Sequence, residues 1–297
     1  MSVRIIGRGQ VFAAQAANAV TGEVPCWDAS SATLWWVDIQ GQRLIGFRPD
    51  DALMTDHNLP SLPGVLTGRR SGGLVIGLED GLYAADPVAG LGRKLADVEP
   101  DKPLNRLNDG KADAAGRLWF GSLDKTGQFL PQGSLYRLGL DGSLTAMRTG
   151  MRIPNAIDFS PDGKRMYVAE SHDRRIEVMD YDLATVAASA PRTFLETPEG
   201  MMPDGCCVDA EGAVWVAIIC GARIERRLPD GALHSVIELP VSRPTMPMLG
   251  GSDGRTMFIT SQRRLLSPDA LKREPLAGHL LAARVDVPAR AVNLAAI

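Results

Sequence analysis

No apolar run in these 297 residues approaches the roughly 20 that a membrane-spanning helix requires, which excludes a helical membrane span. Cysteine is scarce. The four residues (Cys26, Cys206, Cys207 and Cys220) are too few for a disulfide scaffold and show no CxxC pair. Neither sign of charge dominates: 32 Lys+Arg stand against 35 Asp+Glu, with no block of like charges, so nothing marks a nucleic acid or an anionic membrane as partner. The four histidines (His57, His172, His234 and His279) share no metal spacing, and a Gly-x-Ser-x-Gly elbow is missing, which disfavours a serine-hydrolase triad. No glycine-rich loop precedes a helix, so no nucleotide cofactor is indicated. Behind Arg4 and Arg8 the run Val11 to Ala14 is broken at Gln15 and Asn18, which does not read as a secretory signal. A sustained 3.6-residue apolar stripe is also absent; only Asp182 to Ala190 has room for a short helical turn. With 45% apolar and 23% charged residues, the composition is that of a globular, cytoplasmic protein with reduced thiols.

What is present is a repeat. Short β-branched and aromatic runs recur: Leu34-Trp35-Trp36-Val37, Leu74-Val75-Ile76-Gly77, Leu118-Trp119-Phe120-Gly121, Met166-Tyr167-Val168-Ala169, Val214-Trp215-Val216-Ala217 and Met257-Phe258-Ile259-Thr260. Their second residues fall at 35, 75, 119, 167, 215 and 258. Turns precede most of them, as at Ser160-Pro161-Asp162-Gly163 and Asp209-Ala210-Glu211-Gly212, and a second strand follows several, such as Arg175 to Asp180. Six β-rich repeats of roughly 40–50 residues match the period of propeller blades. The expectation is an all-β, six-bladed β-propeller forming one domain over residues 1–297, closed in its first or last blade by strands from both chain ends.

In a propeller the innermost strand of each blade lines a central channel, so equivalent positions converge there. Eleven or twelve residues before each anchor lie Glu23, Pro63-Gly64, Asn108, Asn155, Asp204 and Met246. Four of these carry carboxylates or carboxamides. Singly, Asn-Asp-Gly or Pro-Asp-Gly is an ordinary turn string. Recurrence at one register, including Glu23, which is no turn former, points to a shared site whose oxygen donors suit a hard or borderline divalent cation.

The strings Gly22-Glu23-Val24-Pro25-Cys26-Trp27, Asn105-Arg106-Leu107-Asn108-Asp109-Gly110, Gly116-Arg117-Leu118-Trp119-Phe120-Gly121-Ser122, Ile153-Pro154-Asn155-Ala156 and Pro203-Asp204-Gly205 resemble the SMP-30/gluconolactonase family, which includes sugar lactonases and regucalcin. The resemblance runs in order from about residue 15 to about residue 265. It implies a six-bladed propeller with a central site for one divalent ion (Ca2+, Zn2+, Mn2+ or Fe2+) and hydrolysis of sugar-acid lactones. It implies Glu23, Asn155 and Asp204 as metal ligands, Arg106 and Asn108 as substrate contacts, and Asp204 as general base. Where the family often carries an acidic substrate contact this chain reads Leu123-Asp124-Lys125-Thr126, so Asp124 is the candidate substitute.

The chemistry is consistent with those residue types. Opening a lactone requires a polarised carbonyl, a positioned water and an acceptor for its proton; two carboxylates and an amide can hold a Lewis acid, and Asp204 can take the proton. Arg106 offers fixed donors to sugar hydroxyls or a developing oxyanion. Asp124 and Glu170 stand next in line as base. Cys206, two residues beyond Asp204, would share its face on a regular strand. The expected partner is a small-molecule sugar lactone, with the chain a monomer or weak homo-oligomer. The alternative is a non-enzymatic Ca2+-binding or protein-interaction propeller, which would have no use for Arg106, Asn108 and a base together.

Overall fold

The second strand of each blade is almost wholly buried, as in Thr33–Asp38, Leu118–Asp124 and Val214–Ile219. A strand covered on both faces is written as a continuous apolar run instead of an alternating one, which is why these six runs stand out in the sequence. In the computed structural model, which describes residues 3–297, they belong to six antiparallel sheets. The sheets are built outward from inner strands at Gly22–Asp28, Val65–Gly68, Asn105–Ala112, Pro154–Phe159, Met202–Val208 and Pro244–Gly250. Burial falls off toward the rim, and outermost strands such as Leu53–Asn58 and Leu144–Met151 are largely exposed. The core therefore lies between blades: Leu66 and Ile76 pack with Trp35 and Val37, Tyr167 and Ile176 pack with Val214 and Val216. This is the six-bladed β-propeller that the repeat predicts.

Closure is in the last blade. Phe12–Gln15 pairs antiparallel with Leu280–Arg284 (Phe12 opposite Ala282) and becomes the outermost strand of the sixth sheet. Pairing the first residues with the last repeat shuts the ring non-covalently. Arg4–Ile6 adds a parallel fifth strand to the fifth blade, against Leu233–Glu238. Past the last strand, the chain runs beneath the blades. Ala289 bridges to Asp209, Ala295 bridges to Arg69, and Arg290 bonds Asp158 at 2.5 Å. That tail covers the inner-strand ends Ala112, Val208 and Leu249, leaving the opposite channel mouth open.

One expectation is corrected. Asp182 to Ala190 holds no helix: Arg175–Asp182 and Ala187–Glu196 are adjacent strands joined by a turn. The single α-helix among the described residues, Pro268–Arg273, lies elsewhere; Ser267 caps it by accepting from the Ala270 N–H at 3.2 Å, with proline at its first position.

Candidate active site

Five of the six inner strands carry an irregularity beside the open mouth. Register slips occur between Glu23 and Cys26, Asn108 and Gly110, Asn155 and Asp158, Pro203 and Cys206, and Pro244 and Met246. In three of them the residue after the site residue is left-handed: Val24 at φ 42°, Asp109 at 47° and Ala156 at 48°. Such a backbone costs a non-glycine residue on the order of 1–2 kcal/mol, most obviously a β-branched one. A bulge re-aims a side chain; here it goes with Glu23, Asn108 and Asn155 meeting at one end of the channel. The second blade contributes no side chain at this level. A Cβ on Gly64 would stand 1.9 Å from the Leu107 carbonyl oxygen, so the blades approach closely only because that residue is glycine.

The side chains form one hydrogen-bonded run across the blades. Arg106 Nη1 donates to Asn108 Oδ1 at 2.7 Å and to the Leu107 carbonyl at 2.9 Å. Asn108 Nδ2 donates to Asn155 Oδ1 at 2.6 Å and to the Pro154 carbonyl at 2.9 Å. Asn155 Nδ2 donates to Asp204 Oδ1 at 2.7 Å and to Ser171 Oγ at 3.0 Å. Ser171 in turn donates to the Pro203 carbonyl at 2.6 Å, which fixes it as the support of Asn155. The Glu23 and Asp204 carboxyls are close enough to share a hydrogen bond. They line a cavity of about 140 Å³ together with Arg106, Asn108 and Asn155.

Electrostatics set this pair apart. Burial pushes Glu23 up to about 7, helped by the negative charge of Asp109 and opposed by the Val24 N–H and the Arg106 charge. Burial and then the neighbouring Glu23 push Asp204 well above the ordinary carboxylate range. Two buried acids this close cannot both ionise cheaply without a cation beside them. Burial also lowers Arg106 to about 10, against the pull of Glu23. Glu23, Asp204 and the Asn155 carboxamide are an all-oxygen donor set carrying two like charges without a cationic partner in contact, and this set fits a divalent cation. Among the described residues no group of three His, Cys, Asp or Glu side chains could hold a metal; the set here is two carboxylates and one amide. Asn155 presents its nitrogen to Asp204 and its oxygen to Asn108; turned over, it would present its oxygen on the carboxylate side and give up the bond from Asn108.

Other expected residues are placed differently. Asp124 lines the cavity, but its oxygens accept from Thr126 N at 3.0 Å, Thr126 Oγ1 at 2.8 Å and Leu130 N at 3.3 Å. Burial opposes ionisation there, yet these bonds outweigh it and hold Asp124 below its ordinary range; its carboxylate braces the loop that follows. Glu170 is likewise committed, accepting from Ile153 N at 2.7 Å and Arg152 N at 2.9 Å. Cys206 does not reach the cavity. The slip between Pro203 and Cys206 breaks the two-residue parity, and the thiol is fully buried between the fourth and fifth blades, where burial raises it far above the ordinary thiol range. His172 lies on the surface beside Phe129. The sequence reading missed Ser171, and also Thr21, Gln40, Arg243 and Arg264, all of which line the cavity. For three of them the signal is visible only in three dimensions: Thr21 Oγ1, Gln40 Oε1 and Arg243 Nε are buried without partners among the described residues.

Known proteins resemble this chain over most of its length. A model of the SMP-30/gluconolactonase/LRE-like region matches residues 21–263. A 6-deoxy-6-sulfogluconolactonase of Pseudomonas putida is 34% identical over 91% of this chain and 93% of its own. An L-arabinolactonase of Azospirillum brasilense is 37% identical over 89% of this chain and 88% of its own. A crystal structure of a calcium-binding protein, regucalcin, from Agrobacterium tumefaciens superposes with a TM-score of 0.94 at 28% identity, covering 100% of both chains.

Proposed function

The chain belongs to the SMP-30/gluconolactonase/LRE-like family, and we propose that it hydrolyses the ring ester of a sugar-acid lactone with the help of one divalent cation. The observation that carries this reading is the convergence of Glu23, Asn155 and Asp204, from three blades, on one cavity at the end of a hydrogen-bonded run that begins at a buried arginine. Two relatives named as lactonases of sugar acids support the substrate class.

Glu23, Asn155 and Asp204 would hold the cation, which when bound supplies Lewis-acid polarisation of the ester carbonyl and a lowered pKa for water. The remaining work falls to side chains. Asp204, inside the cavity and ionised once the site's charge is balanced, accepts the proton of the attacking water. Arg106 has committed Nη1 to Leu107 and Asn108, and its other N–H groups have no protein partner among the described residues. They serve the lactone oxygens, where a guanidinium's fixed donors give orientation as well as charge. Asn108 holds Arg106 and Asn155 in register, so substrate and cation sites are linked through one carboxamide. Asp124 acts on substrate only through the loop it braces.

The test is acid release from a panel of five- and six-membered aldonolactones, followed by pH indicator with Ca2+, Zn2+, Mn2+ or Fe2+ supplied singly. Turnover of at least one lactone above its spontaneous opening is the expected result. Tight cation binding with no turnover of any lactone would instead favour a calcium-binding role, the description carried by the regucalcin neighbour.

A further inference from the structure

Four basic side chains, Arg106, Lys125, Arg243 and Arg264, line the cavity. Lys125 is already paired, with Glu79 at 2.8 Å, and Arg106 belongs to the hydrogen-bonded run described above. The two arginines of the sixth blade are different. Arg243 immediately precedes the inner strand Pro244–Gly250 and is part-buried. Among the described residues its Nε is enclosed without a partner, and its single side-chain hydrogen bond is Nη1 to Cys220 Sγ at 3.4 Å, a weak acceptor. Arg264 is exposed at the rim and makes no side-chain hydrogen bond or ion pair among the described residues. Both feel the site: Arg243 opposes the upward push on Asp204, and Arg264 adds to the lowering of Arg106. An enclosed guanidinium N–H left unpaired costs free energy unless a ligand satisfies it.

A neutral lactone offers these two guanidinium groups hydrogen-bond acceptors but no counter-charge. We propose that Arg243 and Arg264 receive an oxyanion (phosphate, sulfonate or carboxylate) carried by the lactone on the end of the molecule away from its ring ester. The inference rests on the lactonase reading and narrows its substrate class. Paired N–H donors of arginine match the oxygens of all three groups. The buried Thr21 Oγ1 and Gln40 Oε1, also without partners, remain for the uncharged hydroxyls between the two ends.

The experiment compares kcat/KM for glucono-1,5-lactone with that for the same ring bearing phosphate, sulfonate or carboxylate at its exocyclic carbon. At least one charged lactone is expected to exceed the neutral one by roughly tenfold or more, mostly through KM, the scale of a charge-assisted hydrogen bond. Whichever anion is preferred identifies the group. Arg264→Ala, at an exposed position that does not endanger folding, and Arg243→Ala should each shrink the charged-to-neutral ratio severalfold, and the double variant should bring it near one. Equal rates on charged and neutral rings, or a ratio that neither variant moves, overturns the inference while leaving the lactonase reading intact. Failure on every lactone, charged and neutral, removes both.

Discussion

Replacing Glu23 by glutamine should stabilise the cation-free protein at neutral and alkaline pH, although it removes a residue of the active site. The Glu23 carboxyl rises from 4.5 to about 7 on folding, with burial as the leading cause. Below pH 4.5 the folded and unfolded chains both carry the proton. Between 4.5 and about 7 the unfolded chain gives it up while the folded protein keeps it, so stability falls as pH rises through that window, and above about 7 the loss is complete. At 1.36 kcal/mol per unit the full shift corresponds to about 3 kcal/mol, and because Glu23 keeps some surface in the cavity, roughly 2 kcal/mol is the working figure. Glutamine retains the shape and cannot ionise. Melting followed by circular dichroism in chelator should therefore place the variant about 5 °C above the parent at pH 8, with the gap closing by pH 5. Saturating divalent cation should reverse the order, because binding stabilises the parent by mass action and the variant has lost a ligand. Parallel melting profiles in chelator across pH 5–8, or cation that stabilises both proteins equally, would refute the reasoning.

Three other outcomes follow from the same geometry. Asp204→Asn should lower kcat by roughly 10²–10⁴ even at saturating cation, because it removes the proton acceptor, whereas Glu23→Gln should recover much of its rate as cation is raised; equal recovery would make Asp204 a ligand only, and neither Asp124 nor Glu170 has a free carboxylate to replace it. Arg106→Ala should act mainly on KM in steady-state assays, with Arg106→Lys a partial rescue since an ammonium lacks the planar fork; a fall in kcat alone would assign Arg106 to the oxyanion instead. Gly64→Ala should destabilise the ring by about 3 kcal/mol or more in denaturant titration, because its Cβ would meet a backbone oxygen at 1.9 Å that cannot move aside cheaply.

The blades were legible because burial on both faces writes each second strand as an uninterrupted β-branched and aromatic run. The convergence of Glu23, Asn108, Asn155 and Asp204 was legible because propeller symmetry repeats one register. The bulges beside them were not. Val24 and Ala156 sit in left-handed backbone that their own side chains disfavour, so no local preference announces it. The same feature misplaces Cys206: counting in twos from Asp204 puts the thiol in the channel, and one extra residue turns it into the core. Arg243 and Arg264 come from the ends of the last blade's strands, and only folding shows that their guanidinium groups lack partners. The helix Pro268–Arg273 is too short for a periodic stripe; its Ser267-Pro268-Asp269 start was its one visible mark.

In the proposed reaction, lactone opening depends on a cation held by Glu23, Asn155 and Asp204. The most direct measurement strips the protein with chelator, confirms by circular dichroism that the propeller remains folded, and then titrates a divalent ion while following acid release from an aldonolactone. Activity should be absent in the stripped protein and saturate at one ion per chain. Undiminished hydrolysis by folded, cation-free protein would contradict the account.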